Sequence, residues 1–266
     1  TDLILPPVAI AWSPHRKDHS LKSQDQVIKD IVFINKQRIL RIRIHGTEGL
    51  LVPILFNTCK KLRIRIDQGF EISLGGVNDV DEQLTRVIGW AKDYGWDIFS
   101  SFTVGYEPIS KGYRDALQLI SKITEVKARL AEAGYEGPIT TLESADTFIN
   151  NPELCQLSEI DFIGIKVHPY FSQNPPKEAG QFILAEKKRV ERICNKPVKI
   201  VETGYPTAGK RNGQNIPSKR NQLIALNSIW QATKGDVTYM SLYDELWKRQ
   251  GPKQIERHFG IFKPTY

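Results

Sequence analysis

The chain of 266 residues carries 37 Lys and Arg against 30 Asp and Glu, a formal charge of +7, with 40% apolar and 25% charged residues. That is an ordinary globular composition, and 19 glycines and 15 prolines exclude collagen-like and low-complexity chains. No stretch without a charged residue exceeds that of Asn221 to Thr233, which contains Asn, Gln and Ser and falls well short of the roughly 20 apolar residues of a membrane-spanning helix.

The positive charge is scattered, with small clusters at Lys187-Lys188-Arg189 and Arg63-Ile64-Arg65. A nucleic-acid binder concentrates such an excess in a patch or tail, so neither a nucleic-acid partner nor membrane insertion is expected. Cys59, Cys155 and Cys194 show no Cys-x-x-Cys spacing, which argues against a metal site. Their odd number suits either a reduced protein or one disulfide with a spare thiol. Thr1 is preceded by no methionine and followed by no signal-like apolar segment, consistent with a leader already removed. The compartment stays open on these grounds.

In chain order, short apolar runs alternate with segments of helical period. Val8–Trp12 predicts a strand and Gln24–Gln37, carrying Val27, Ile28, Ile31, Val32 and Ile34, a helix. Ile39–His45 is the second strand, Leu50–Leu62 a helix with Pro53 near its start, and Ile64–Ile72 the third strand. The next helix opens at Asp79, where Asp-Val-Asp-Glu places acid at the positive end of the helix dipole, and runs to Tyr94 before Gly95. The strand Ile98–Glu107, the helix Tyr113–Ala133 closed by Gly134, and the strand Ile139–Ser144 follow. A short helical stretch near Pro152–Leu157 leads to the strand Phe162–Tyr170, the helix Lys177–Cys194 and the strand Val198–Glu202. The helix Ser218–Thr233 and the strand Val237–Tyr243 complete the series.

Eight strands alternating with helices mark parallel βα units. No G-x-G-x-x-G follows the first strand, and no G-x-x-x-x-G-K-[ST] occurs. The expected fold is therefore α/β, a single (β/α)8 TIM barrel with few insertions. Without an obvious linker, residues 1–266 read as one catalytic domain.

Such a barrel carries its reactive groups at the carboxyl ends of its strands. Those ends bring forward Trp12, His45, Tyr106-Glu107, Glu143, His168-Pro169-Tyr170, Glu202 and Tyr243-Asp244-Glu245, and no lysine ends a predicted strand. Among these strand-end residues there is no Ser or Cys nucleophile motif and no histidine pair at metal-ligand spacing, so no metal or organic cofactor is expected. Glycosidic cleavage needs one carboxylic acid at the leaving oxygen and one carboxylate across the ring, about 5–5.5 Å apart when configuration is retained. Glu107 and Glu202, ending the fourth and seventh strands, would face each other across the mouth. A Glu at a strand end is often just a polar residue at a loop start; the pair is what points to a sugar. Tyr170 and Tyr205 fit either a sugar platform or a seal over the mouth. Trp90 and Trp96 read as core, and His168 reads as a structural hydrogen-bonder.

The pieces VGYE, HPYF, ETGYPTAG, QNIPSKRNQ, LYDELWK and FGIF, in this order, resemble the fungal branch of glycoside hydrolase family 17, β-1,3-glucan hydrolases and glucanosyltransferases of cell walls. The likeness covers most of the chain and is strongest from Tyr135 to Phe262, including AGYEGPITTLESADTFINNPELC. It implies Glu107 as acid/base and Glu202 as nucleophile, Glu245 and Lys248 on sugar hydroxyls, and Tyr170 with its hydroxyl orienting Glu202. It also places His45 where the family commonly has tyrosine and Glu143 on the acceptor side.

Three departures stand out. Tyr106 replaces the asparagine of VGNE, whose amide is expected on the sugar 2-hydroxyl; deleting one such transition-state donor costs about 10²–10³ in rate. Glu48-Gly49 replaces a usual cysteine. The barrel lacks insertions long enough to wall in a deep groove. Cys155 and Cys194 precede neighbouring strands at the barrel bottom and are expected to pair.

The expected activity is retaining hydrolysis or transglycosylation of β-1,3-glucan or laminari-oligosaccharides by a secreted or cell-wall monomer. An aromatic at Tyr106 favours a sugar near the acceptor side, hence glucanosyl transfer. The alternative is a glucan-binding barrel of weak or no catalytic activity, with Tyr106 as its support. Aldolase or phosphate-ester chemistry is disfavoured by the lack of a Gly-rich anion site and of a strand-ending lysine.

Overall fold

The computed structural model describes residues 4–74 and 79–266. Eight parallel strands close into one barrel in sequential order, β1 pairing with both β2 and β8. They are β1 Ala9–Ala11, β2 Arg41–Ile44, β3 Arg65–Phe70, β4 Phe99–Tyr106, β5 Ile139–Ser144, β6 Ile163–Lys166, β7 Val198–Thr203 and β8 Val237–Tyr239. Around them lie α1 Gln24–Lys36, α2 Val52–Leu62, α3 Asp79–Tyr94, α4 Ala116–Glu132, α7 Ala179–Glu191 and α8 Lys219–Thr233; α5 Ala145–Asn150 and α6 Glu153–Gln156 share the β5–β6 connection. The expected (β/α)8 barrel is what forms, although among the described residues no helix follows β8. α3 opens at Asp79, as expected.

Local chemistry sets the boundaries. Ser23 caps α1 by accepting from the Gln26 amide, while the Gln26 side chain accepts from the Ser23 amide, and Asp115 and Gln118 repeat this capping box at α4. Each cap stabilises its helix by about 1 kcal/mol. α4 then buries Leu119, Ile123, Val126 and Leu130, a stripe at helical spacing, against the strands. α5, unforeseen in the sequence, is capped by Ser144, whose hydroxyl accepts from the Thr147 amide.

Two strand ends differ from expectation by more than two residues. β6 stops at Lys166 rather than Tyr170, because Pro169 has no amide proton to donate to the ladder and opens a 3-10 turn, Pro169–Phe171. Lys166 is thus a strand-ending lysine, contrary to the sequence reading. β8 stops at Tyr239, leaving Tyr243-Asp244-Glu245 in the following loop.

Cys155 on α6 and Cys194 after α7 form a disulfide with a Cα–Cα distance of 5.7 Å, as expected. Cys59 is a free, buried thiol, pushed up to about 12 by desolvation. Toward the amino ends of the strands, Arg41, Asp67, Ser101 and Thr103 line a cavity of about 300 Å³. There the Arg41 guanidinium and the Ser101 hydroxyl both donate to Asp67.

Candidate active site

The carboxyl ends of β4, β6 and β7 carry the chemistry-bearing groups, and the ladder is irregular there. Pairing shifts between Thr103 and Tyr106 on the β4–β5 side, and between Ile165 and Lys166 on the β6–β7 side, which sets Lys166 opposite Glu202. Such bulges re-aim side chains. Gly105 has φ +84°, and a Cβ there would stand 2.9 Å from Pro108 Cγ, so only glycine fits the bend. Glu107 follows with φ +53°, a left-handed conformation costing roughly 1–2 kcal/mol for a residue with a side chain. Strain of this kind, held by the surrounding fold, clusters at functional sites.

Glu202 is 1% exposed, and its two oxygens live in different environments. Oε1 accepts from the Tyr106 hydroxyl at 2.9 Å and from His168 Nε2 at 2.8 Å, and Lys166 Nζ stands 3.7 Å away. Oε2 has no hydrogen-bond partner among the described residues; His45 Nε2 is 3.8 Å from it, beyond bonding reach. Lys166 Nζ also donates to Glu107 Oε2 at 2.9 Å and to the Tyr106 hydroxyl at 3.2 Å. The Glu107 and Glu202 oxygens that flank Lys166 are therefore no farther apart than the two lysine contacts end to end, inside the upper limit of about 9.5 Å for glycosidase carboxyl pairs.

The charges follow from these contacts. Burial alone would push the Glu202 carboxyl up, but the Lys166 ammonium and the His168 hydrogen bond outweigh it and hold the group well below the usual carboxylate range. The Lys166 ammonium is held well above its usual range; burial opposes this, and the neighbouring Glu202, Tyr106 and Glu107 overcome it. Burial, then the Glu202 charge, pushes the Tyr106 phenol well up, so it remains a donor. His45 is pushed down by burial, leaving a neutral imidazole.

Beside this cluster opens a cavity of about 440 Å³ lined by Trp12, His15, His45, Glu71, Tyr106, Glu245, Trp247 and Lys248. Glu245 and Lys248 pair at 3.2 Å. The Trp247 indole stacks on His19 with ring centroids 4.9 Å apart, next to His15. The Tyr106 ring meets His45 edge-on at 4.7 Å and receives Lys111 Nζ over its face at 4.2 Å. Among the described residues, no three His, Cys, Asp or Glu side chains gather where they could hold a metal ion.

Tyr106, His45, Glu245 and Lys248 line this cavity, and Glu202 and Glu107 adjoin it through Tyr106 and Lys166 without lining it, whereas three sequence-derived candidates are not brought there. Tyr170 is fully buried and its hydroxyl donates to the Lys210 carbonyl, not to Glu202. The turn begun by Pro169 carries it away, and His168 takes the place on the carboxylate. Tyr205 is also fully buried, with its hydroxyl donating to Asn215. Glu143 lies beneath the β4–α4 loop, where its Oε1 accepts from the Ile109 amide at 2.6 Å, and burial pushes its carboxyl up to about 7. It anchors the loop and does not line the cavity. Sequence reasoning passed over Lys166 as a site residue; its signal was a lone charge within the apolar run Phe162–Tyr170. Trp90 and Trp96 pack against the core, as read.

A carboxylate with one oxygen saturated by donors and the other bare is oriented to attack or accept through the bare oxygen. A second carboxyl group nearby, less buried, can exchange protons with a bound molecule.

Residues 9–260 match the family described as the BtgE/BtgC glycoside hydrolase domain. The chain is 30% identical over 255 residues to the probable β-glucosidase btgE of Aspergillus flavus, covering 95% of this chain and 42% of that protein. It is 28% identical over 256 residues to the probable family 17 glucosidase SCW10 of Saccharomyces cerevisiae, covering 95% and 64%. It therefore spans less than half the length of the Aspergillus relative. Its fold is shared with a family 17 β-1,3-glucanosyltransferase from Rhizomucor miehei, at a TM-score of 0.80 and 22% identity over 96% of this chain and 92% of the other. An endo-laminarinase from Formosa superposes at a TM-score of 0.79 with 15% identity, covering 98% and 84%. The chain belongs to the BtgE/BtgC glycoside hydrolase family, within the fungal-type branch of glycoside hydrolase family 17.

Proposed function

We propose that this barrel is the catalytic unit of a retaining enzyme acting on β-1,3-glucan, with Glu202 as nucleophile and Glu107 as acid/base. The observation that carries the reading is the asymmetry of Glu202: donors from Tyr106 and His168 fix Oε1, while Oε2, buried behind the cavity-lining His45, has no hydrogen-bond partner among the described residues. In the first half-reaction Oε2 bonds to the anomeric carbon, the bond to the leaving oxygen breaks, and Glu107 gives that oxygen its proton. In the second, an acceptor hydroxyl bonds to the same carbon, its proton passes to Glu107, and the ester to Glu202 breaks.

The substrate class is supported by the likeness to a Rhizomucor miehei glucanosyltransferase whose active-site mutant was solved with laminaritriose. Cavity walls of Trp12, Tyr106 and Trp247 offer apolar faces to pyranose rings, and the Glu245–Lys248 pair offers polar contacts to hydroxyls. Sugar is favoured over water as acceptor because an aromatic, Tyr106, flanks the site. The Cys155–Cys194 disulfide supports action outside the cell or in the wall, since such bonds persist in oxidising compartments. Incubation with laminaripentaose followed by sizing of the products tests the reading. Longer products mean transfer, shorter ones alone mean hydrolysis, and Glu202→Gln should abolish both.

A second reading, a glucan-binding barrel of weak or no catalytic activity, is favoured by one observation. Tyr106 and Lys166 already occupy oxygens of the two carboxylates. Laminarin binding without turnover after long incubation would establish it.

A further inference from the structure

Lys166 has no part in the steps above, yet its ammonium lies 2.9 Å from Glu107 and 3.7 Å from Glu202. It is no loose surface lysine: its side chain is 24% exposed, and its ammonium also meets the Tyr106 hydroxyl. The Glu107 oxygen it touches is Oε2. Lysine offers donors and no acceptor. A proton on that oxygen would remove its charge and one of its acceptor sites, making it a poorer partner for the ammonium, so acid-form Glu107 favours its proton on Oε1 or a displaced lysine. Ionised Glu107, the form that takes a proton from an acceptor hydroxyl, meets no such conflict and gains a charge-assisted bond.

We propose that Lys166 is a positioning residue that holds Glu107 for its base role and impedes its acid role, making departure of the leaving group the step limited by this geometry. The proposal rests on the assignment of Glu202 and Glu107 made above. In chemical terms, C–O cleavage at the anomeric carbon proceeds with Glu202 Oε2 bonding as the leaving oxygen departs, and the proton that oxygen needs comes late from Glu107. Leaving groups stable as anions need none and escape the constraint.

The test uses aryl β-laminaribiosides that share one glycone and differ in leaving phenol: 2,4-dinitrophenyl, which departs without a proton, and phenyl, which requires one. The wild-type chain should strongly prefer the dinitrophenyl glycoside. Lys166→Asn and Lys166→Gln should each narrow that preference by at least about tenfold, since general acid catalysis contributes about 10²–10⁴. Lys166→Arg, which keeps the charge and the donors, should retain the wild-type preference. A preference unchanged or widened in a variant with native circular dichroism and melting would overturn the proposal, because a merely structural lysine moves both rates together. If the wild type releases no dinitrophenol, the nucleophile assignment itself has failed and the proposal falls with it, a result distinct from release with an unaltered preference.

Discussion

The Tyr106 hydroxyl joins the end of β4 to the end of β7, donating to Glu202 Oε1 at 2.9 Å. If Glu202 is the nucleophile, Tyr106→Phe removes one donor from an ionised, buried oxygen, a bond of about 1.5–3 kcal/mol. The expected outcome is a loss of about tenfold or more in kcat/KM on laminari-oligosaccharides. The acid limb of the kcat/KM profile should also move to higher pH. Activity requires ionised Glu202 and is lost as pH falls through its depressed pKa, and removing a donor raises that pKa. A fall in kcat/KM with the limb unmoved would place Tyr106 on the sugar instead.

His168 makes the second contact to Oε1, at 2.8 Å and almost fully buried. With Glu202 ionised, Nε2 must carry the proton. His168→Ala should reduce kcat/KM by about 10²–10³, comparable to deleting one preorganised donor. His168→Gln, which can present an amide donor, should recover part of it. Equal losses in both variants would argue that the ring's packing on Phe259 matters more than its hydrogen bond.

Glu143 makes stability depend on pH. Its folded-state carboxyl sits at about 7 against an ordinary 4.5, so between those values the folded chain holds a proton that the unfolded chain releases. Stability from this group is fully present below pH 4.5 and is lost as pH rises through 7, by about 3 kcal/mol in total. Urea titrations of wild type and Glu143→Gln across pH 4.5–8 should diverge in that sense. Parallel curves would show that the backbone bonds from Ile109 and Ser110 offset burial entirely.

The Cys155–Cys194 bridge closes a sequence separation of 39 residues, which on chain-entropy grounds stabilises the fold by roughly 4 kcal/mol. Reduction, or Cys194→Ser, should lower the denaturant midpoint accordingly. A midpoint insensitive to reductant would mean that α6 is held by packing alone.

The architecture was legible because each strand is a short buried apolar run and each long helix carries a stripe at 3.6-residue spacing, signals that burial itself imposes. The carboxylate pair was legible for the same reason, each Glu standing where an apolar run stops. Lys166 was hidden because hydropathy cannot report where ladder bonding ends: Val167 is buried inside the strand-like run as Ile165 is, and the turn at Pro169 follows. That turn also misplaced Tyr170, since a spacing of two residues from His168 says nothing of direction once the backbone leaves the strand. Glu143 looked like its counterparts at other strand ends, and the amides that bury it come from the next loop over, a contact no local pattern encodes.

Glu202 stands in β7 and Glu107 directly follows β4, whereas His15, His19 and Trp247 are borne on connections following β1 and β8. On the proposed assignment, reaction geometry and ligand selectivity are consequently written in separate stretches of polypeptide. Grafting those two connections from a relative should change which oligosaccharides are accommodated while the carboxylates keep their spacing, so that new preferences are reachable without rebuilding the barrel.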